Sequence, residues 1–334
     1  MISRPISAST YHVIRTCVDI ALIATYFTGG AVYIVFISTA IHQLVDYYHP
    51  EWEWGVIPYM FLILLPLIIT CQIRELKYLV PFSFLANVFL VVSFGITLYY
   101  IFDGIEMRDD LDMVGSFNTI PLFFSTAIFA MEGIGVVMPL ENKMKQPQHF
   151  LGCPGVLYSA MTFVVVLYTI IGFTGYIRYG PETEGSITYN IDTSQVLAQV
   201  AKVLIAAAVF FTYSLQFFVA MDITWRKLLV TRVPERYHNL TQVLVRSLIV
   251  SLAAGFAAAV PDLEPIIGLV GSICFSILGL LIPAVIEIIL KLETGFGRYN
   301  WILVKDILLI VFALFGLVSG TFASINSLVS GEAE

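Results

Sequence analysis

The residues best placed for chemistry lie in one stretch, "FFSTAIFAMEGIGVVMPLENKMKQP", at residues 123–147. It begins as an unbroken apolar run and then places Glu132 where a membrane-embedded helix tolerates charge least. Gly133 and Gly135 follow, and because they lack Cβ atoms both lower the cost of leaving helical geometry. A carboxylate beside a helix break could take up a proton, and the exposed helix ends could bind a small polar ligand.

The same residues also have a purely structural interpretation. Small residues allow close packing of membrane helices, so the two glycines alone do not separate packing from function. A protonated carboxyl group could likewise serve only as a structural hydrogen-bond donor. The combination of Glu132, both glycines and Pro139 in one span nevertheless favours a role in transport or gating.

The composition places this stretch in a membrane protein. Of the 334 residues, 58% are hydrophobic and 12% are charged, whereas soluble domains carry roughly 25% charged residues. The apolar residues form long runs, and a helix needs about 20 such residues to cross a bilayer. We therefore predict an all-α polytopic membrane protein with a single domain over residues 1–334, in which 1–16 form a short cytoplasmic segment. The predicted spans are 17–44, 56–73, 79–102, 117–140, 154–178, 195–222, 241–260, 265–290 and 301–327.

The charges in the connections predict the orientation of these nine spans. Basic or mixed loops such as "ENKMKQPQH" and "TWRKLLVTRVPERYH" alternate with acid-rich loops such as "FDGIEMRDDLD" and "YGPETEG". Cytoplasmic loops of membrane proteins carry an excess of Lys and Arg. The amino terminus is therefore predicted to be cytoplasmic and the carboxyl terminus extracellular or lumenal. Near the end of the eighth span, Glu287 is expected to pair with Lys291 at i+4.

Other function classes find little support in the sequence. The net charge of −7 and the absence of a basic stripe argue against nucleic-acid binding. The four cysteines are far apart and form no Cys/His cluster, so no metal site is expected. No nucleophile–base pair occurs at a common membrane depth, which argues against an enzyme. We expect no cofactor, with protons as the coupling ion.

Four segments carry a resemblance to a known family. "FAMEGIGVVMPLENKMKQPQHF" resembles the sixth helix and following loop of proton-coupled amino acid transporters, which belong to the amino acid/auxin permease family. "FFTYSLQFFVAMDITW" resembles its eighth helix, "YIVFISTAIHQLVDYY" the end of its third, and "IRELKYLVPFSFLANV" its fourth-to-fifth junction. The similarity covers nearly the whole chain in the family's order. It implies a leucine-transporter-like inverted-repeat fold, with about nine of the family's eleven helices present here.

The resemblance also implies a substrate site formed by two helices. Phe129 would line the side-chain end of the pocket, and the unwound segment beside it would contain Glu132, the candidate for proton coupling. On the eighth-helix match, the i, i+1, i+4 spacing puts three further candidates near one helix face. The candidate substrate-binding residues are Phe129, Glu132, Gly133, Gly135, Tyr213, Ser214 and Phe217.

The chain departs from the family at its amino terminus. If residues 117–140 are the sixth family helix, three helices precede it here where the family has five. The family's first helix, which is broken, binds the substrate's amino and carboxylate groups and carries the proton-coupling histidine. Three explanations stay open: an incomplete gene model or short isoform, a partner chain that supplies helices, and a protein that does not transport.

The sequence therefore predicts proton-coupled symport of small neutral amino acids by alternating access. The expected location is the plasma membrane or a lysosomal or endosomal membrane. The expected partners are small neutral amino acids, protons and the lipid bilayer, together with a possible partner chain and no nucleic acid. The alternatives are a membrane amino acid sensor or regulatory subunit without transport, and a non-functional short isoform or fragment.

Overall fold

The protein is all-helical in a computed structural model that describes residues 8–103, 111, 115–117, 119–131, 133, 141, 144–152, 155–230 and 232–330. Within these ranges, seven helices are long and apolar enough to cross a membrane. Two shorter apolar helices, Val56–Cys71 and Ile120–Ala130, correspond to the remaining predicted spans. The prediction of an all-α polytopic membrane protein is thus confirmed.

The helices are numbered here in chain order. Their bounds are α1 Ala8–Tyr48, α2 Val56–Cys71, α3 Leu76–Asp103, α4 Ile120–Ala130, α5 Val156–Tyr179, α6 Val196–Thr224, α7 His238–Ala259, α8 Leu263–Val270, α9 Ile282–Thr294, α10 Trp301–Phe315 and α11 Thr321–Ser330. In the described part of the chain, three segments have π-helical hydrogen bonding, at Trp225–Leu229, Gly271–Leu281 and Gly316–Gly320. The second of them joins α8 to α9 and the third joins α10 to α11, so that each continuous stretch forms one membrane span.

The packed centre of the protein is built around the middle of α1. Ala31, Ile34 and Val35 are completely buried there, and α1 packs against α2, α6 and α7. On α7, Ala253 and Ala257 are buried at the helix contacts. Small side chains at such contacts let membrane helices approach closely, because dispersion rather than water exclusion holds them together.

The outer helices α3 and α5 face lipid over much of their surface. Large apolar side chains such as Phe84 of α3 and Phe173 of α5 are exposed. In an aqueous protein these patches would promote aggregation, but in a bilayer they contact acyl chains. The position of α5 at the edge therefore fits its uniformly apolar sequence.

One charged residue of α6 is buried near the acid-rich connection that precedes this helix. Lys202 is almost fully enclosed, and its Nζ donates a hydrogen bond to Thr193 Oγ1 over 2.7 Å. In the same connection, burial raises the pKa of Glu184 above its usual range, and the charge of Lys202 opposes that shift. Hydrogen bonds from Ser194 lower the pKa of Asp192 below its usual range. Lys202 therefore ties the connection to the helix bundle.

Candidate substrate site

The predicted break in the fourth span is present in the structure. Helix α4 ends at Ala130, Met131 departs from helical geometry with φ −97° and ψ 1°, and Gly133 lies outside any helix. The 11 residues of α4 rise about 16 Å, which is roughly half of the 30 Å hydrocarbon layer. The helix therefore stops part-way across the membrane, where a break is tolerated only beside protein or a cavity.

Three residues of the predicted break have no described position. Glu132, Gly135 and Pro139 lie outside the described residues, so the proposed proton-coupling role of Glu132 stays a prediction. Gly133 is the described member of the unwound segment, and no atom of the described residues lies within 4 Å of where its Cβ would be. In the described part of the chain, the backbone at Gly133 is thus not covered by a neighbouring side chain.

A cavity of about 400 Å³ borders the end of α4. Its wall includes Phe123, Met131 and Gly133 on the α4 side, with Phe275 of the π-helical segment and Phe312 of α10 opposite. This volume lies within the range of small-molecule sites, which are mostly apolar with a few polar groups that fix orientation. The cavity could therefore hold a small ligand whose polar end meets the open backbone.

Phe129 supports this wall without lining the cavity. Its ring packs against Phe275 with 5.3 Å between the ring centroids, so Phe129 braces the residue that faces the open space. The role of Phe129 at the side-chain end of the pocket stays a prediction.

The candidates on α6 lie at a different place. Tyr213 and Phe217 are buried and stack on each other, with ring centroids 6.3 Å apart and ring planes nearly parallel. They border a small cavity of about 10 Å³ together with Gly30 of α1. A Cβ at Gly30 would lie 3.2 Å from the ring of Tyr213, so glycine allows this close contact.

Ser214 points toward another neighbour. Its Oγ donates a hydrogen bond to Thr70 Oγ1 of α2 over 2.9 Å. Adjacent residues on a helix project about 100° apart, which is why Ser214 faces α2 while Tyr213 faces α1. Ser214 therefore connects α6 to α2.

Helix α1 contacts both groups of candidates. Thr28 of α1 shares a hydrogen bond with Cys274 Sγ of the π-helical segment over 3.2 Å, while Gly30 of α1 contacts Tyr213. The cavity at the end of α4 and the one beside Tyr213 have no lining residue in common. Helix α1 thus links the two groups of candidates.

Sequence reasoning missed the π-helical segment Gly271–Leu281. A Cβ at Gly271 would lie 2.9 Å from the carbonyl carbon of Ser125 and 3.1 Å from Cβ of Phe129, so glycine allows α4 to lie directly on the segment. Wide helical turns of this kind are frequent at functional sites. The available signal was the cluster of small residues in "GLVGSICFSILGLL".

Comparison with known proteins places this architecture in a family. A family model described as "Transmembrane amino acid transporter protein" matches residues 11–328. The chain belongs to the transmembrane amino acid transporter family. It is therefore an integral membrane protein of a transporter family, not an enzyme.

Two relatives show how far the similarity of this family member extends. It is 43% identical over 311 residues to the "Proton-coupled amino acid transporter-like protein pathetic" of Drosophila melanogaster, covering 92% of this chain and 64% of that protein. It is 24% identical over 330 residues to the "Amino acid transporter AVT3A" of Arabidopsis thaliana, covering 96% of this chain and 72% of that protein. The chain thus spans a little under two thirds of the length of the Drosophila relative.

Proposed function

We propose that this family member is a proton-coupled symporter of small neutral amino acids that works by alternating access. The observation that carries the proposal is the end of α4 at Ala130, part-way across the membrane and beside a cavity of about 400 Å³. Secondary transporters bind their substrates where broken helices expose backbone groups near the middle of the bilayer.

The substrate class follows from the cavity wall. Aromatic and aliphatic side chains such as Phe275 and Met131 dominate it, so an uncharged side chain of the substrate would be accommodated at low cost. A charged side chain would lose its hydration there without a paired group among the described lining residues. This favours small neutral amino acids.

Proton coupling is supported by the name of the Drosophila relative, which is proton-coupled amino acid transporter-like. Within this chain, Glu132 remains the candidate that would take up the proton, because a carboxylate beside a helix break gains most from neutralisation. The charge pattern of the loops supports a cytoplasmic amino terminus. The proposed location is the plasma membrane or a lysosomal or endosomal membrane.

Uptake by the purified protein in liposomes tests this proposal. With the outside more acidic than the inside, we expect labelled glycine, alanine or proline to accumulate several-fold above vesicles treated with a protonophore. Labelled lysine and glutamate serve as charged controls and are expected to stay near background. Binding of neutral amino acids without any gradient-dependent uptake would contradict symport and favour an amino acid sensor.

A further inference from the structure

Three charged side chains meet between α9 and α10, away from the candidate substrate site. Lys305 Nζ lies 2.6 Å from Glu287 Oε2 and 3.1 Å from Asp306 Oδ1. The two helices run antiparallel through a short connection that contains Gly295 and Gly297, both with positive φ. This reversal places Glu287 of α9 opposite Lys305 of α10. Glu287 therefore pairs with Lys305 instead of the expected Lys291.

Asp306 is the most enclosed member of this cluster. Its side chain is 0% exposed, whereas those of Lys305 and Glu287 are 39% and 38% exposed. Neither carboxylate oxygen of Asp306 has a hydrogen-bond partner in the described part of the chain, and its ionic contact is the one with Lys305. A buried carboxylate normally accepts several hydrogen bonds, because an ionised oxygen without them is costly.

The charges of the cluster do not balance. With all three groups ionised, two carboxylates share one ammonium group, which leaves one negative charge. In the sequence, the elements packed against α10 supply five other titratable groups, which are Lys291 and Glu293 on α9, Arg298 and Tyr299 in the connection, and Cys274 in the π-helical segment. The ion pairs made by Glu287 and Asp306 in the described residues are both with Lys305.

We propose that Glu287, Lys305 and Asp306 form a proton-binding site within the α9–α10 hairpin. A hydronium ion transfers one proton to the carboxylate of Asp306 and leaves as water, so that one O–H bond breaks and one forms. The cluster then becomes neutral overall, with the Glu287–Lys305 pair intact. Ionisable groups within membrane spans commonly mark proton pathways, which is the role assigned to this site.

The hairpin is connected to the broken helix at two points. Segment Gly271–Leu281 precedes α9 and segment Gly316–Gly320 follows α10. Glycines in both segments, Gly271 and Gly320, lie against Ser125 of α4. A change of charge in the hairpin therefore acts on elements that touch α4. This consequence for transport rests on the proposed function, whereas the binding of the proton does not.

Infrared difference spectra of the purified protein at low and high pH test the proton site directly. We expect the protonated-carboxyl C=O signal of the wild-type protein to contain a component that Asp306→Asn removes. The matched control is Asp222→Asn, because Asp222 pairs with Arg226 at 2.8 Å on an exposed surface, and the signal should persist there. An unchanged signal in correctly folded Asp306→Asn protein would overturn the proposal.

A second variant decides the question should Asp306→Asn fail to fold. Lys305→Met removes the ammonium group and leaves Glu287 and Asp306 facing each other. We expect the carboxyl signal to appear at a pH higher by about one unit or more, since a neighbouring opposite charge has effects of this size. A signal at the wild-type pH would show that the cluster does not bind the proton.

Uptake measurements separate this proposal from the proposed function. Asp306→Asn protein is expected to lose several-fold of the difference in uptake between acidic and neutral pH, while Asp222→Asn keeps it. If the wild-type protein does not transport amino acids, the proposed function fails and the infrared result still decides the proton site. If transport is normal and its pH dependence is the same in both variants, the link from the hairpin to α4 is wrong.

Discussion

Gly271→Ala is expected to lower the stability of the protein and its uptake of amino acids. The added Cβ would lie 2.9 Å from the carbonyl carbon of Ser125 and 3.1 Å from Cβ of Phe129. The nearest atoms belong to the backbone of Ser125, so the clash is relieved only if α4 moves away from the π-helical segment. Overpacking of this kind costs about 1–3 kcal/mol or more. Thermal unfolding of the purified protein should show a midpoint lower by about 4 °C or more, and uptake should fall at least several-fold.

Gly95→Ala in α3 is the matched control for this experiment. Gly95 is exposed on a helix that faces lipid, and no atom lies within 4 Å of where its Cβ would be. The same chemical change is therefore expected to leave uptake unchanged and not to lower the unfolding midpoint, since alanine is the better helix former. Equal behaviour of Gly271→Ala and Gly95→Ala would show that the contact between α4 and the π-helical segment is not as close as described.

Arg246→Met is also expected to lower the stability of the protein strongly. Arg246 is buried in α7, and its Nη1 donates hydrogen bonds to the carbonyl oxygens of Cys71 over 2.5 Å and Ile73 over 3.1 Å. The last carbonyls of α2 have no partner within their own helix, and a cation is favourable at a helix carboxyl end. Losing charge-assisted hydrogen bonds there should lower the free energy of unfolding by about 3 kcal/mol.

Denaturant unfolding of the purified protein measures this effect, with Arg226→Met as control. Arg226 forms its ion pair with Asp222 on the surface, where its side chain is 75% exposed, so its loss should cost less than about 1 kcal/mol. Arg246→Lys keeps the charge and should recover part of the stability. A cost for Arg246→Met no larger than that for Arg226→Met would mean that α2 does not depend on this side chain.

Hydropathy and charge were sufficient to predict the membrane spans and the break in α4. A glycine such as Gly133 indicates a possible helix break from the local sequence alone, because the missing side chain gives the backbone more freedom regardless of tertiary contacts. The π-helical segments were not predictable in this way. Gly271 resembles any small residue in an apolar run, and its importance depends on Ser125, about 150 positions away in the chain.

The tertiary partners of polar residues also lay beyond sequence reasoning. Glu287 was expected to pair with Lys291 on its own helix, but the hairpin brings Lys305 within 2.6 Å. In the sequence, the adjacent Lys305 and Asp306 look like an ordinary charged pair near a helix end. Asp306 is fully buried because of the way α10 packs. Ser214 was grouped with Tyr213 by spacing, yet the choice of Thr70 as its partner depends on how α2 lies against α6.

The central claim is that the end of α4 borders the amino acid site. The most direct test is whether substrate protects a cysteine introduced at position 133 from chemical modification. Gly133→Cys is suited to this because no atom of the described residues lies within 4 Å of the Cβ position, and Gly55→Cys at the exposed start of α2 provides the control. We predict that glycine, alanine or proline slows modification of Cys at 133 by a water-soluble thiol reagent several-fold, with no effect at 55. Equal rates at 133 with and without amino acid, in protein that still takes up that amino acid, would contradict the account.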